Sequence, residues 1–349
     1  MSAGETTEGG PPATDPRPDA AVVDRWAWAK KLARFALFAF GLAAVVYVVR
    51  DAGPERVLST LLGAGVFVPV VILLEAAFMT MDIVSLRYLL GDAARSVPVS
   101  VWARSGLVAY GFMILLPGGR AAAEVVRATQ LAPYVGGARA AAFGARLQAA
   151  TLLGNTVISL PSAIACFVAG SPSDALPWLV LGNGLVTGVI GGAIIFASRR
   201  SKVGGWLGQR FAGLASHGAS FDEALRTDTS WGPPILFSTL GRTFQAVQYG
   251  VLLAAVGGSF GVVSALVSQG IHLVGAGLGD FVPNQVGVTE GAYHVFAPAL
   301  GLAEDPARAV GIALLARFCQ YVLASVGLVL GVVGRSDKPT AAPAAPQES

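Results

Sequence analysis

Pro117-Gly-Gly-Arg-Ala-Ala-Ala-Glu124 (PGGRAAAE) interrupts an apolar stretch, and Pro283-Asn-Gln-Val-Gly-Val-Thr-Glu290 (PNQVGVTE) interrupts another in the second half of the chain. In both, proline and glutamate stand seven positions apart, and the two copies are offset by 166 residues. The likeness runs on beyond them. Ala138-Arg-Ala and Ala145-Arg146-Leu-Gln in the first half answer Ala307-Arg-Ala and Ala316-Arg317-Phe-Cys-Gln in the second. The apolar run Gly63–Leu90, shifted by the same offset, falls on the run that starts at Trp231. Such long-period similarity is the mark of internal duplication. Each half then holds two spans, a hairpin and a span. Three crossings per half is an odd number, so the halves run in opposite directions, the inverted-repeat plan of many secondary transporters.

Composition sets the compartment. Of 349 residues, 54% are hydrophobic and 13% charged, about half the charge of an average soluble domain, and the mean hydropathy is +0.63. That excludes an ordinary cytosolic enzyme, a disordered chain and a nucleic-acid binder. The net charge of +3 comes from 24 basic against 21 acidic residues, a surplus that in a membrane protein sets orientation. Cys166 and Cys319 lie far apart in apolar runs and give neither a disulfide framework nor a metal site. His217, His272 and His294 lack ligand spacing, so no metal is expected, and no cofactor, nucleotide-binding or hydrolase motif is present.

A bilayer core takes about 20 helical residues to cross. Six runs qualify: Leu32–Val49, Gly63–Leu90, Leu147–Ala169, Ala175–Ala197, Trp231–Val256 and Ala309–Val333. Val99–Leu116 and Phe260–Val282 are ambiguous, since each stops at a proline followed by polar or glycine-rich sequence. Arg25, Lys30, Lys31 and Arg34 place the N-terminus in the cytoplasm, and the cluster Arg199, Arg200 and Lys202 belongs there too. That cluster reaches the cytoplasm only if Val99–Leu116 enters and returns. The expectation is an all-α polytopic protein with six transmembrane helices and two re-entrant helical hairpins, both termini cytoplasmic. Its parts are a tail of residues 1–27, half-repeats at 28–170 and 171–335 with a cytoplasmic interfacial segment at 203–230, and a tail at 336–349. The Gly/Pro/acid-rich tails cannot bury enough apolar area to fold. The first apolar run reads as an uncleaved helix and not as a secretory signal.

Broken backbone in a bilayer is tolerated only where protein or water satisfies its polar groups. The breaks at Pro117, Gly118 and Gly119, and at Pro283 to Gly287, should each begin a half-helix. Its free N–H groups and partial positive charge would suit a phosphate or carboxylate. Arg120 adds a cation, and Glu124 and Glu290 are expected to face one central cavity. The structural alternative is that Glu124 pairs with Arg127 or Arg146, and Glu290 with Arg317, each merely locking a hairpin. Glu75 and Asp82 share a helix face, Asp280 ends an apolar run, and Arg242, Gln245 and Gln248 make a polar stripe in the corresponding span of the other half. An Arg242 partner for Glu75 is expected. Such charges serve either as helix locks or as a substrate or proton path.

Leu116-Pro-Gly-Gly-Arg120…Glu124…Arg127, followed by Pro283…Gly287-Val-Thr-Glu290-Gly, resembles the flippase-like family named for the transmembrane region of lysylphosphatidylglycerol synthase. In that family an LPGR-G-E-x-x-R element precedes a P-G-G-x-G-x-x-E-G element, and the resemblance covers roughly residues 32–334. Asn284-Gln285 departs from the usual paired small residues, and Ala145 precedes Arg146 where the family often has glutamate.

The resemblance implies a bacterial inner-membrane protein, not an enzyme, that moves a phosphate-bearing or aminoacylated lipid between leaflets. Bifunctional members carry a soluble aminoacyltransferase domain; the last span here lies about 15 residues from the end of the sequence, so lipid aminoacylation is not expected. Arg120 and the neighbouring N–H groups would bind phosphate, and Glu124 and Glu290 would bind a cationic headgroup part or carry a proton. Membrane lipids are the expected partners, with a lipid-biosynthesis enzyme or a second copy as further candidates, and no nucleic acid or nucleotide. Two alternatives are a gradient-driven small-solute or ion transporter, and a non-transporting subunit of a lipid, hopanoid or glycan pathway.

Overall fold

Long helices that are apolar all round, with no polar stripe toward water, belong in lipid or in a fully buried core. The computed structural model describes residues 46, 50, 53–115, 119–170, 174–200, 205, 218–226, 230–280, 282 and 285–333. Over these the chain forms α1 (Pro54–Gly63), α2 (Val68–Leu90), α3 (Val99–Leu115), α4 (Gly119–Val135), α5 (Gly137–Ala169) and α6 (Ala175–Arg200). Then follow α7 (Gly218–Arg226), α8 (Gly232–Ala255), α9 (Val262–Gly279), α10 (Val288–Val295) and α11 (Pro306–Val333), with no strand among the described residues. Prolines in the first turns of α1, α2 and α8 start those helices where a missing N–H costs nothing.

Five helical segments are long and apolar enough to cross a membrane: Leu58–Arg95, Gly137–Ala169, Ala175–Arg199, Val262–Gly279 and Pro306–Leu330. The chain is an all-α polytopic membrane protein. Two segments differ from the expected runs. The run Trp231–Val256 is helical as α8 but is not among the five, because Arg242, Gln245 and Gln248 reduce its hydropathy. The third expected span starts earlier than Leu147, at Gly137, since alanines carry the helix back through the basic segment before it. The first expected span, Leu32–Val49, lies outside the described residues apart from Val46, as do both tails and most of segment 203–230.

The packing follows an exchange between halves. Helix α8 lies against α2; α11, the last helix of the second half, packs on α3 of the first, and α5, the last of the first half, packs on α9 of the second. Gly241 of α8 sits against Phe78 and Met81 of α2, a small residue letting two backbones approach. Outward faces are apolar, with Leu73, Ile164, Val168, Leu185 and Val189 exposed. Buried polar residues include Glu75, Arg127, Arg146, Gln245, Gln248, Gln269 and Glu290. Charge inside and apolar surface outside is the arrangement that hydrocarbon solvent selects.

Candidate functional site

Polar side chains from eight helices meet at one central cavity of about 170 Å³. Helices α2, α3, α4, α5, α6, α8, α9 and α11 all reach it. Four carboxylates line it (Glu75, Asp82, Glu124 and Asp280), with three arginines (Arg120, Arg127 and Arg242) and a set of neutral donors and acceptors. Of the expected break residues, Pro117, Gly118 and Pro283 lie outside the described residues. Gly119 opens α4, and a Cβ there would strike the backbone carbonyl of Met113, so only glycine lets the chain fold back on α3 this closely.

The floor of the cavity is a hydrogen-bonded network. Glu75 is 1% exposed, with Tyr110 donating to Oε1 at 2.5 Å and Gln248 Nε2 donating to Oε2 at 2.7 Å. This corrects the expected Glu75–Arg242 pair: two neutral donors already fill the carboxylate. Arg242 Nη1 instead donates to Gln245 Oε1 at 2.8 Å, and its guanidinium lies 4.9 Å above the centre of the Phe78 ring. Gln245 Oε1 also accepts from Gln269 Nε2 at 3.2 Å. Beside it, the hydroxyl of Tyr249 and Nδ1 of His272 share a 2.7 Å hydrogen bond.

The two motif glutamates sit in different surroundings. Glu124 lines the cavity, and its Oε1 accepts from Arg127 Nη1 at 3.0 Å. Arg127 Nη2 also reaches Asp82 Oδ2 at 3.3 Å, and Thr151 donates to Asp82 Oδ1 at 3.3 Å. Glu124 Oε2 is buried without a partner, facing the bare backbone of Gly144. Glu290 is 0% exposed and does not line the cavity, which corrects the expectation that both glutamates face it. Its Oε1 takes Arg317 Nε and Nη2, each at 2.8 Å, and its Oε2 accepts from the Gly287 N–H at 2.8 Å. Gly287 has φ 83°, so the turn that aims this N–H is one a side chain would strain. The N-terminus of α10 is thus already capped by its own carboxylate.

At the rim, Arg120 Nε meets Asp280 Oδ1 at 3.3 Å, with side chains 35% and 42% exposed. This pair joins the first break to the end of α9, one half of the chain to the other. Arg146 stands apart from the cavity. It is 1% exposed, stacked 5.1 Å from the centre of the Trp231 ring, with Nε and Nη1 unpartnered. Among the described residues no group of three or more His, Cys, Asp or Glu could hold a metal ion. Sequence reading missed Tyr110, Thr151, Asn155, Asn183, Thr187 and Gln320, all of which line the cavity. Two of these pairs had a signal: Thr151 with Asn155, and Asn183 with Thr187, are polar i, i+4 neighbours within apolar helices, hence on one face.

In comparison with known families, residues 32–327 match the family model described as lysylphosphatidylglycerol synthase TM region. No curated protein and no solved structure matches the chain.

Proposed function

The chain belongs to the lysylphosphatidylglycerol synthase transmembrane-region family, and on that premise we propose that it is a lipid translocase, moving a phosphate-bearing or aminoacylated lipid between leaflets. The observation that carries the reading is the central cavity, where arginines, carboxylates and neutral polar groups from both halves meet inside an apolar, lipid-facing shell. A charged headgroup is costly in hydrocarbon, and such a lining replaces the water it must leave. The tails remain in the bilayer. In this reading the protein is a transporter and not an enzyme, and Glu124, open to the cavity, handles the headgroup.

The test is a leaflet-accessibility assay on fluorescent and aminoacylated phosphatidylglycerol in proteoliposomes. Wild type is expected to exceed empty vesicles, and Glu124→Gln to be slower by about tenfold or more, the cost of a charge-assisted contact. Equal rates for wild type, variant and empty vesicles would remove the translocase reading.

The same reading carries an inverted repeat in a bacterial inner membrane, with both termini cytoplasmic and the hairpins entering from opposite faces. Two observations support it: the last helix of each half packs on the hairpin of the other, and α2, α3, α4 and α5 recur in order as α8, α9, α10 and α11. Ser96 and Glu304 are exposed next to the two hairpins. Ser96→Cys should react with a membrane-impermeant maleimide from the cytoplasmic side only, and Glu304→Cys from the outside only. Labelling of both from one side would overturn the topology.

A further inference from the structure

We infer that Arg242 is the seat of the headgroup phosphate, the role that the sequence motif alone would give to Arg120; the inference rests on the translocase reading above. The three cations of the cavity differ in what already occupies them. Arg120 is engaged by Asp280, and Arg127 by Glu124 and Asp82. Arg242 is 7% exposed and lines the cavity, yet among the described residues no carboxylate lies within 4.0 Å of it. Its Nη1 is spent on Gln245, while Nε and Nη2 have no protein partner among the described residues.

A buried guanidinium with donors left over is expensive, and the expense is relieved by an anion. What surrounds it fixes its aim. The centre of the Phe78 ring lies 4.9 Å from the guanidinium carbon, a cation–π contact that holds the group in place. Gln245 is itself held by Gln269, so the Nη1 bond sets the rotation of the group. A planar fork with two parallel N–H groups suits the paired oxygens of a phosphate. The cavity's acids do not compete at contact distance: Asp82, Glu124 and Asp280 are held by other arginines, and Glu75 by Tyr110 and Gln248. Glu75 is the carboxylate without a contacting cation, so the competing role for Arg242 is to balance that charge at a distance.

The experiment titrates the purified full-length protein in maltoside micelles, which contain no phosphate, by calorimetry. The probes are dihexanoylphosphatidylglycerol, inorganic phosphate and dihexanoylglycerol. Wild type should bind the phosphatidylglycerol and ignore the dihexanoylglycerol. Arg242→Gln should weaken binding about tenfold or more, as expected for losing a charged hydrogen-bonding partner, and Arg242→Lys should fall between. Gel filtration establishes that each variant is folded. The double variant Arg242→Gln with Glu75→Gln removes both charges together and should remain as weak as Arg242→Gln. Unchanged affinity in Arg242→Gln, recovery in the double variant, or no binding by wild type would each overturn the assignment. Inorganic phosphate binding as tightly as the lipid, and lost in Arg242→Gln, would keep Arg242 as an anion seat and shift its source to a free solute. The transport reading fails separately, when wild type binds through Arg242 but moves no lipid.

Discussion

The first hairpin, α3 with α4, and the second, α9 with α10, carry the same proline-to-glutamate spacing and use it differently. In the first, Glu124 stands at the cavity wall, shares Arg127 with Asp82, and keeps one oxygen without a partner. In the second, Glu290 is sealed from the cavity with both oxygens bonded, one to Arg317 of α11 and one to the backbone at Gly287. Length separates them too: α4 runs for 17 residues, whereas α10 runs for 8 and gives way to a 3₁₀ turn. A single motif therefore supplies a wall that can interact and a clasp that cannot. Two elements with the same proline-to-glutamate spacing thus differ in task, because one glutamate lines the cavity and the other is sealed from it.

The largest effect should come from breaking the clasp. Glu290→Gln removes the fully buried charge that compensates Arg317, and breaking a buried pair from one side costs about 3–5 kcal/mol. Glu124→Gln leaves Arg127 with Asp82, and its cost should be about 1.5–3 kcal/mol, that of one hydrogen bond to a charged group. Thermal unfolding in detergent, followed by tryptophan fluorescence, should place Glu290→Gln well below Glu124→Gln, with wild type highest. Equal destabilisation by the two substitutions would collapse the distinction between wall and clasp.

Much of this was legible where the information was local or repeated. Pro283, Gly287 and Glu290 stand in register with Pro117, Ala121 and Glu124, so spacing alone pointed to both breaks. Arg127 is one helical turn from Glu124, and Arg317 was singled out by the second copy of the Ala-Arg element. What spacing could not reveal was how distant elements meet. Tyr110 and Gln248 find Glu75 across 35 and 173 positions, and they take the place assigned to Arg242. Opposite charges on facing spans invite a pairing, but a carboxylate in hydrocarbon can be satisfied by hydroxyl and amide donors. Which donors reach it is fixed by the rotation of each helix about its axis. The same limit hid the Arg120–Asp280 contact, since nothing in either run sets the distance between the two hairpins.

That contact gives the smallest effect and the sharpest use of the comparison. Arg120 and Asp280 join the halves as Arg317 and Glu290 join two helices of one half, but at 35% and 42% side-chain exposure and over 3.3 Å. Partly exposed pairs of this kind contribute about 0–1 kcal/mol, because solvent screens them and ordering two side chains offsets the attraction. Asp280→Asn should therefore leave the unfolding temperature close to that of wild type, far above Glu290→Gln in the same detergent. A loss as large as that of Glu290→Gln would make the rim a second structural clasp. The halves would then be fastened at the cavity mouth, and a headgroup could not enter between Arg120 and Asp280 without first breaking that fastening.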